Sequence, residues 1–149
     1  MVKREIPLRE RALGMLARRE HTRAEMTRKL SPHAESPEQV EQLLDTLVAR
    51  GWLSETRFAE SRGNALARKF GNRKIEYDLK QRGVSAEVVA STVERVRAQE
   101  LENCRAAWRR KFGALPQDAA ERGRQMRFLA GRGFSADAVR KVLKAGDAD

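Results

Sequence analysis

The residues best suited to chemistry in this chain are its cations, and they are grouped. Between positions 62 and 82 lie Arg62, Arg68, Lys69, Arg73, Lys74, Lys80 and Arg82, opposed only by Glu76 and Asp78, a local excess of five positive charges. A second group, Arg105, Arg109, Arg110 and Lys111, is followed by Arg122, Arg124, Arg127 and Arg132. Such clusters bind phosphates or acidic partner surfaces through charge-assisted hydrogen bonds. Arg73 and Lys74 stand beside Gly71 at the expected start of a helix, where backbone N–H groups are expected to point outward and add to the attraction for anions. Of the second group, Arg105, Arg109 and Arg110 join the first seven as candidate binding residues.

Catalytic patterns are lacking by comparison. His21 and His33 are the only histidines, and neither has metal-ligand spacing to the other or to Cys104. Cys104 falls on an apolar stripe, which suits a buried structural thiol rather than a nucleophile. The carboxylates read as helix caps and as partners one turn away, such as Glu25 with Lys29. No glycine-rich phosphate loop occurs. We therefore expect no enzyme, no cofactor and no metal. Phe58, Phe70, Trp108, Phe112, Phe128 and Phe134 take stripe or corner positions and are expected in the core, so a base-stacking platform of exposed rings is not expected. Tyr77, between Glu76 and Asp78, is the aromatic expected at the surface, and Trp52 after Gly51 reads as an anchor closing a helix end.

The 149 residues carry a formal net charge of +10, which points to a polyanionic partner, nucleic acid first and an anionic membrane surface second. No apolar run approaches the ~18 residues of a membrane span. Met1 to Leu8 is charged and lacks the apolar stretch of a secretion signal, and a single cysteine suits a reducing cytoplasm. A cytoplasmic location is expected.

A repeat positions the cations. Ser85 follows Arg82-Gly83-Val84, and fifty residues on Ser135 follows Arg132-Gly133-Phe134. Forty-nine residues before Ser85 stands Ser36. Six positions before each serine is Leu30, Leu79 or Leu129; four after it is Val40, Val89 or Val139; eight after it is Leu44, Val93 or Leu143. Each serine is placed to cap a helix, Pro37 suits a first helical position, and Ser36 with Gln39 and Thr22 with Glu25 read as capping boxes. Gly83 and Gly133 suit the left-handed position that ends the preceding helix, with Val84 and Phe134 touching back on Leu79 and Leu129.

The spacing predicts an all-α fold of three tandem three-helix units, 1–52, 53–99 and 100–149. Helices are predicted near 8–19, 23–31 and 37–50, then 55–70, 73–82 and 86–99, then 100–112, 117–132 and 136–145. Between Phe112-Gly113 and Gly133 the third unit has eight residues more than the second has between Phe70-Gly71 and Gly83. Its middle helix should be longer, or begin with an extra turn near Pro116. Units this small are expected to hide their apolar stripes by stacking into an elongated array, straight or curved.

Where the first two units meet, the sequence resembles a known family. Gly51-Trp52-Leu53-Ser54, Arg57-Phe58-Ala59-Glu60, Phe70-Gly71-Asn72-Arg73-Lys74-Ile75 and Leu79-Lys80-Gln81-Arg82-Gly83-Val84, in this order and spacing, are similar to the signature of the RecX family of regulators of the RecA recombinase. The resemblance spans about Arg11 to Leu143. It departs at Ser54-Glu55, where members often carry two acids, and is weakest in the third unit. It implies three tandem three-helix repeats and a monomer that lies in the groove of the RecA–single-stranded-DNA filament. There it would dampen ATP hydrolysis, filament growth and strand exchange, limiting recombination and the SOS response. Single-stranded DNA, and duplex DNA weakly, are the implied nucleic acids.

The alternative is a tandem helix-turn-helix protein that binds duplex DNA directly. Such a reader offers Asn, Gln or Arg to base edges at the start of its recognition helix. After Ser85 and Ser135 this chain offers Ala-Glu-Val-Val and Ala-Asp-Ala-Val, which is poor chemistry for that task.

Overall fold

The helix boundaries follow from local residues. In the computed structural model, which describes residues 5–148, Gly83 and Gly133 take φ of 81° and 93°. The N–H groups of Val84 and Phe134 then reach back to the carbonyls of Leu79 (3.1 Å) and Leu129 (3.3 Å). This is the left-handed turn the repeat predicts. Ser85 and Ser135 follow two residues after the glycines, accept from the N–H groups of Val88 (3.4 Å) and Ala138 (3.2 Å), and start the next helix. A helix ends and another begins within four residues.

The helices are α1 (Leu8–Arg18), α2 (Arg23–Leu30), α3 (Pro37–Ala49), α4 (Glu55–Ala67), α5 (Asn72–Gln81), α6 (Ala86–Arg97), α7 (Glu100–Lys111), α8 (Ala119–Gly131) and α9 (Ala136–Ala148), with a 3-10 turn at Ser31–His33. Among the described residues no strand occurs. The two capping boxes form by half. Thr22 and Ser36 accept from Glu25 N–H (3.0 Å) and Gln39 N–H (3.2 Å), but Gln39 Oε1 reaches one residue further back, to Glu35 N–H (2.7 Å). The Glu25 carboxylate turns instead to Arg19 (2.5 Å) and Lys29 (3.3 Å). Helix α8 is three residues longer than α5 and starts where Asp118 accepts from Glu121 N–H (2.7 Å); the rest of the insertion is the loop after α7.

Each unit has a core of its own. The first gathers Ala12, Met26, Leu30, Val40, Leu44 and Leu47, joined by Leu53 from the start of the second unit. The second is built on Phe58, Ile75, Leu79, Val89, Val93 and Val96, and the third on Cys104, Leu129, Phe134, Val139, Val142 and Leu143. Each unit thus buries much of its apolar stripe among its own helices, and the all-α organisation in three-helix units is the one the repeat predicts. Gln125 occupies the place that Ile75 has in the second unit, four residues before the buried leucine. Although 1% exposed, it is satisfied, accepting from Trp108 Nε1 (2.8 Å) and donating to the Ala114 carbonyl (3.1 Å) and the Glu121 carboxylate (3.2 Å). A buried polar side chain is tolerated only when bonded in this way.

Two acidic residues tie helices together across each of the later units. Glu55, first residue of α4, accepts from Ser85 N–H; Glu100, first of α7, accepts from Ser135 N–H (3.3 Å) and Ser135 Oγ (2.7 Å). Each carboxylate links the first turn of its own helix to the N-cap serine of another, close to helix starts where the dipole favours negative charge.

Candidate nucleic-acid interface

The corner before α5 is held by the corner after α8. Gly71 N–H donates to the Arg132 carbonyl (2.8 Å) and Arg73 N–H to the Gly133 carbonyl (3.3 Å). The amides at the start of α5 therefore face the third unit, which corrects the expectation that they point outward to anions. A Cβ on Gly71 would lie 2.4 Å from the Gly133 carbonyl oxygen, so only glycine permits the approach. The positive end of α5 meets the negative end of α8, a favourable alignment of helix dipoles.

This junction sorts the ten candidate cations. Arg62 donates twice to Asp78 (both 2.9 Å), Arg82 donates to the same carboxylate (3.0 Å), and Lys80 pairs with Glu76 one turn away (2.8 Å). Arg105 pairs with Glu102 (3.2 Å). Asp78 is held below the usual carboxylate range chiefly by its bond to Arg62, and Glu76 by its bond to Lys80. The two acids of the basic stretch thus pair with three of its seven cations.

The other six have no carboxylate partner among the described residues. Arg68, Lys69, Arg73, Lys74, Arg109 and Arg110 are all exposed. Arg110 bonds the Arg68 carbonyl and so ties α7 to the end of α4. Lys69 and Arg110 line a cleft of about 170 Å³ with Lys111, Arg132, Ala107 and Phe128. Lys111 and Arg132 lie outside the ten candidates, yet they complete this cleft. Phe128, one turn before Arg132, was a local signal for the latter; its second ring, Phe70, comes from another unit.

The rings between these cations are not simply core. Phe70, Phe112 and Phe128 are half-buried. Lys74 Nζ (5.9 Å) and Arg132 Cζ (5.2 Å) lie over Phe70, while Arg132 (5.0 Å) and Lys111 Nζ (5.4 Å) lie over Phe128. Phe112 meets Phe128 edge-on at 5.4 Å. Cation and ring therefore alternate across the junction, each pair adding attraction between charge and ring quadrupole. Tyr77 is 65% exposed, as expected, and Trp52 is 41% exposed between the guanidinium groups of Arg9 (5.6 Å) and Arg50 (5.3 Å), so it does more than close α3.

Three family models match in chain order: the first RecX three-helix domain over residues 9–47, the second over 54–92 and the third over 98–143. A regulatory protein RecX of Leptothrix cholodnii is 47% identical over 143 residues, covering 96% of this chain and 91% of that protein. The chain belongs to the RecX family. A regulatory protein RecX of Ralstonia nicotianae is 43% identical, covering 96% of this chain and 90% of its own. The fold matches a crystal structure of RecX from Lactobacillus salivarius with a TM-score of 0.75 at 16% identity, over 95% of this chain and 96% of that one.

Among the described residues no three His, Cys, Asp or Glu side chains gather as metal ligands. His21 is buried, with Nδ1 2.9 Å from the Arg19 carbonyl. Burial pushes the Cys104 thiol up to about 12, with the nearby Glu100 charge acting in the same direction, so almost no thiolate exists at neutral pH. Among the described residues no helix is long and apolar enough to cross a membrane.

Proposed function

We propose that this chain regulates a RecA-type recombinase by binding the filament that the recombinase forms on single-stranded DNA, restraining ATP hydrolysis, filament growth and strand exchange. Recombination and the SOS response would be limited in consequence. The protein acts as a cytoplasmic monomer built of units 1–52, 53–99 and 100–149, without cofactor or metal, and the nucleotide chemistry belongs to the recombinase. Membership of the RecX family supports the choice of partner. The observation that carries the choice of surface is the row of carboxylate-free cations where units two and three meet.

Six of the ten candidate residues, Arg68, Lys69, Arg73, Lys74, Arg109 and Arg110, are the ones this reading assigns to contact, joined by Lys111 and Arg132. Direct reading of duplex sequence is less well supported. The starts of α6 and α9 are already held by the carboxylates of Glu55 and Glu100, which leaves little for base edges. The test is the single-stranded-DNA-dependent ATPase of the RecA protein from the same organism, measured with increasing amounts of this protein. The reading predicts progressive suppression; an unchanged rate with the protein in excess over recombinase contradicts it.

A further inference from the structure

The cleft between units two and three has a property that four other clefts of this molecule lack. Each of those four includes at least one carboxylate in its wall: Glu55, Glu25, Glu76 with Glu100 and Asp137, or Glu5 with Glu35. This one has two lysines, two arginines, one ring and one alanine, and no acid. Cations crowded in this way repel one another, and the chain holds them in place with rings and backbone instead of counter-charges. Arg132 lies over both Phe70 and Phe128. Both rings attract the guanidinium and hold it at the cleft without a counter-charge, and among the described residues no carboxylate takes up its N–H donors.

We infer that this cleft grips the sugar-phosphate backbone of a single DNA strand and does so without reading its bases. The inference rests on the filament reading above and names which component of the filament meets this junction. Two observations separate a nucleic-acid strand from a protein partner and from a stacking site. A protein surface interleaves both signs of charge, whereas the row Lys74, Arg132, Lys111, with Lys69 and Arg110 beside it, meets no acid among the described residues; it complements a chain of equal negative charges. Phe70 and Phe128 each already carry two cations, so the rings serve to place charge and are not open platforms for bases.

Fluorescence anisotropy of a labelled oligothymidylate, titrated with the full chain at several salt concentrations, tests this. In the double variant Lys111→Gln/Arg132→Gln, affinity should fall about tenfold and the dependence of log K on log salt should become shallower by about 1.4, that is ~0.7 for each phosphate no longer neutralised. Lys69→Gln/Lys111→Gln, which leaves Arg132 between its rings, should show the same change of slope and guards against a folding defect. An abasic strand of equal length should compete as well as the oligothymidylate, and polyglutamate of equal charge should compete poorly.

Unchanged affinity and slope in both variants overturn the inference. If the same variants then fail to suppress the RecA ATPase, the junction meets protein, and the proposed function survives without this inference. If they suppress it normally, the junction is not the contact surface at all. A strong preference for the base-bearing strand over the abasic one overturns the claim that bases are not read.

Discussion

The two junctions of this three-unit chain are built from equivalent parts and come out differently. Between units two and three, backbone meets backbone: the amides of Gly71 and Arg73 hold the carbonyls of Arg132 and Gly133. Between units one and two, long side chains make the link, as in the 2.9 Å pair of Arg57 with Glu20. Clefts of about 630 and 240 Å³ remain beside it, both walled in part by Thr22 and Gly83. The difference has a one-residue explanation. Thr22 stands forty-nine positions before Gly71, the same offset that relates Leu30 to Leu79, and its side chain caps α2. A threonine cannot allow the approach that places the Gly133 carbonyl oxygen 2.4 Å from where a Cβ on Gly71 would be. At Gly83 the corresponding neighbour is the Ala24 side chain at 3.6 Å, an ordinary van der Waals distance. One junction is therefore closed and carries the ordered cations, and the other is open.

The largest effect should come from forcing the closed junction to resemble the open one. Gly71 has φ of −90°, where any residue is comfortable, so Gly71→Ala tests the steric approach alone. It should destabilise the protein by about 1–3 kcal/mol in chemical denaturation, the usual cost of overpacking. It should also expose the Gly71 and Arg73 amides to hydrogen exchange. Thr22→Ala at the open junction should cost about 1 kcal/mol, for loss of a cap, and should leave those amides protected. Equal protection in both variants would dissolve the contrast.

A second difference is electrostatic. Glu25, which helps wall the smaller cleft at the open junction, is held down to about 2 first by its bond to Arg19 and then by Lys29, against an ordinary value of 4.5. Because the folded state resists protonation more than the unfolded chain, the stabilisation is complete above about pH 4.5 and is lost as pH falls toward 2. After allowance for the half-exposed Arg19, about 1–2 kcal/mol is at stake. Denaturation midpoints measured from pH 6 to pH 2 should fall more steeply in the wild type than in Glu25→Gln.

Smaller again is the effect of releasing paired cations in the second unit. Asp78→Asn should cost about 1 kcal/mol of stability, since Arg62 and Arg82 are partly exposed. It should also strengthen oligothymidylate binding slightly by removing a negative charge. A weakening of binding would mean that the paired arginines, held in place by Asp78, belong to the contact surface.

What the sequence made legible was whatever neighbouring residues decide. The corner at Arg82-Gly83-Val84-Ser85 and its copy fifty residues on contain within five residues the whole reason for a helix end, a turn and a new start. The pairing of Arg62 with Asp78 was not legible, because it joins residues sixteen apart on two helices, and a count of charges cannot tell a neutralised arginine from one left to bind. The docking of Gly71 on Arg132 links residues of different units, and its only local sign is a glycine that looks like any helix-ending glycine. Gln125 in a position held by Ile75 in the preceding unit was masked by the longer α8 and explained only by Trp108 and Ala114. The clamps by Glu55 and Glu100 escaped for the same reason. Residues thirty and thirty-five apart meet only once the helices are assembled.

The central claim is that cations without carboxylate partners at the closed junction, and not the paired cations of the second unit, carry the regulatory contact. Suppression of the single-stranded-DNA-dependent RecA ATPase should be compared for two double variants of equal charge change, Lys111→Gln/Arg132→Gln and Arg62→Gln/Arg82→Gln, with folding checked by circular dichroism. The account predicts that the first loses most of its suppression while the second keeps it. Retained suppression in the first, or loss confined to the second, would contradict the account.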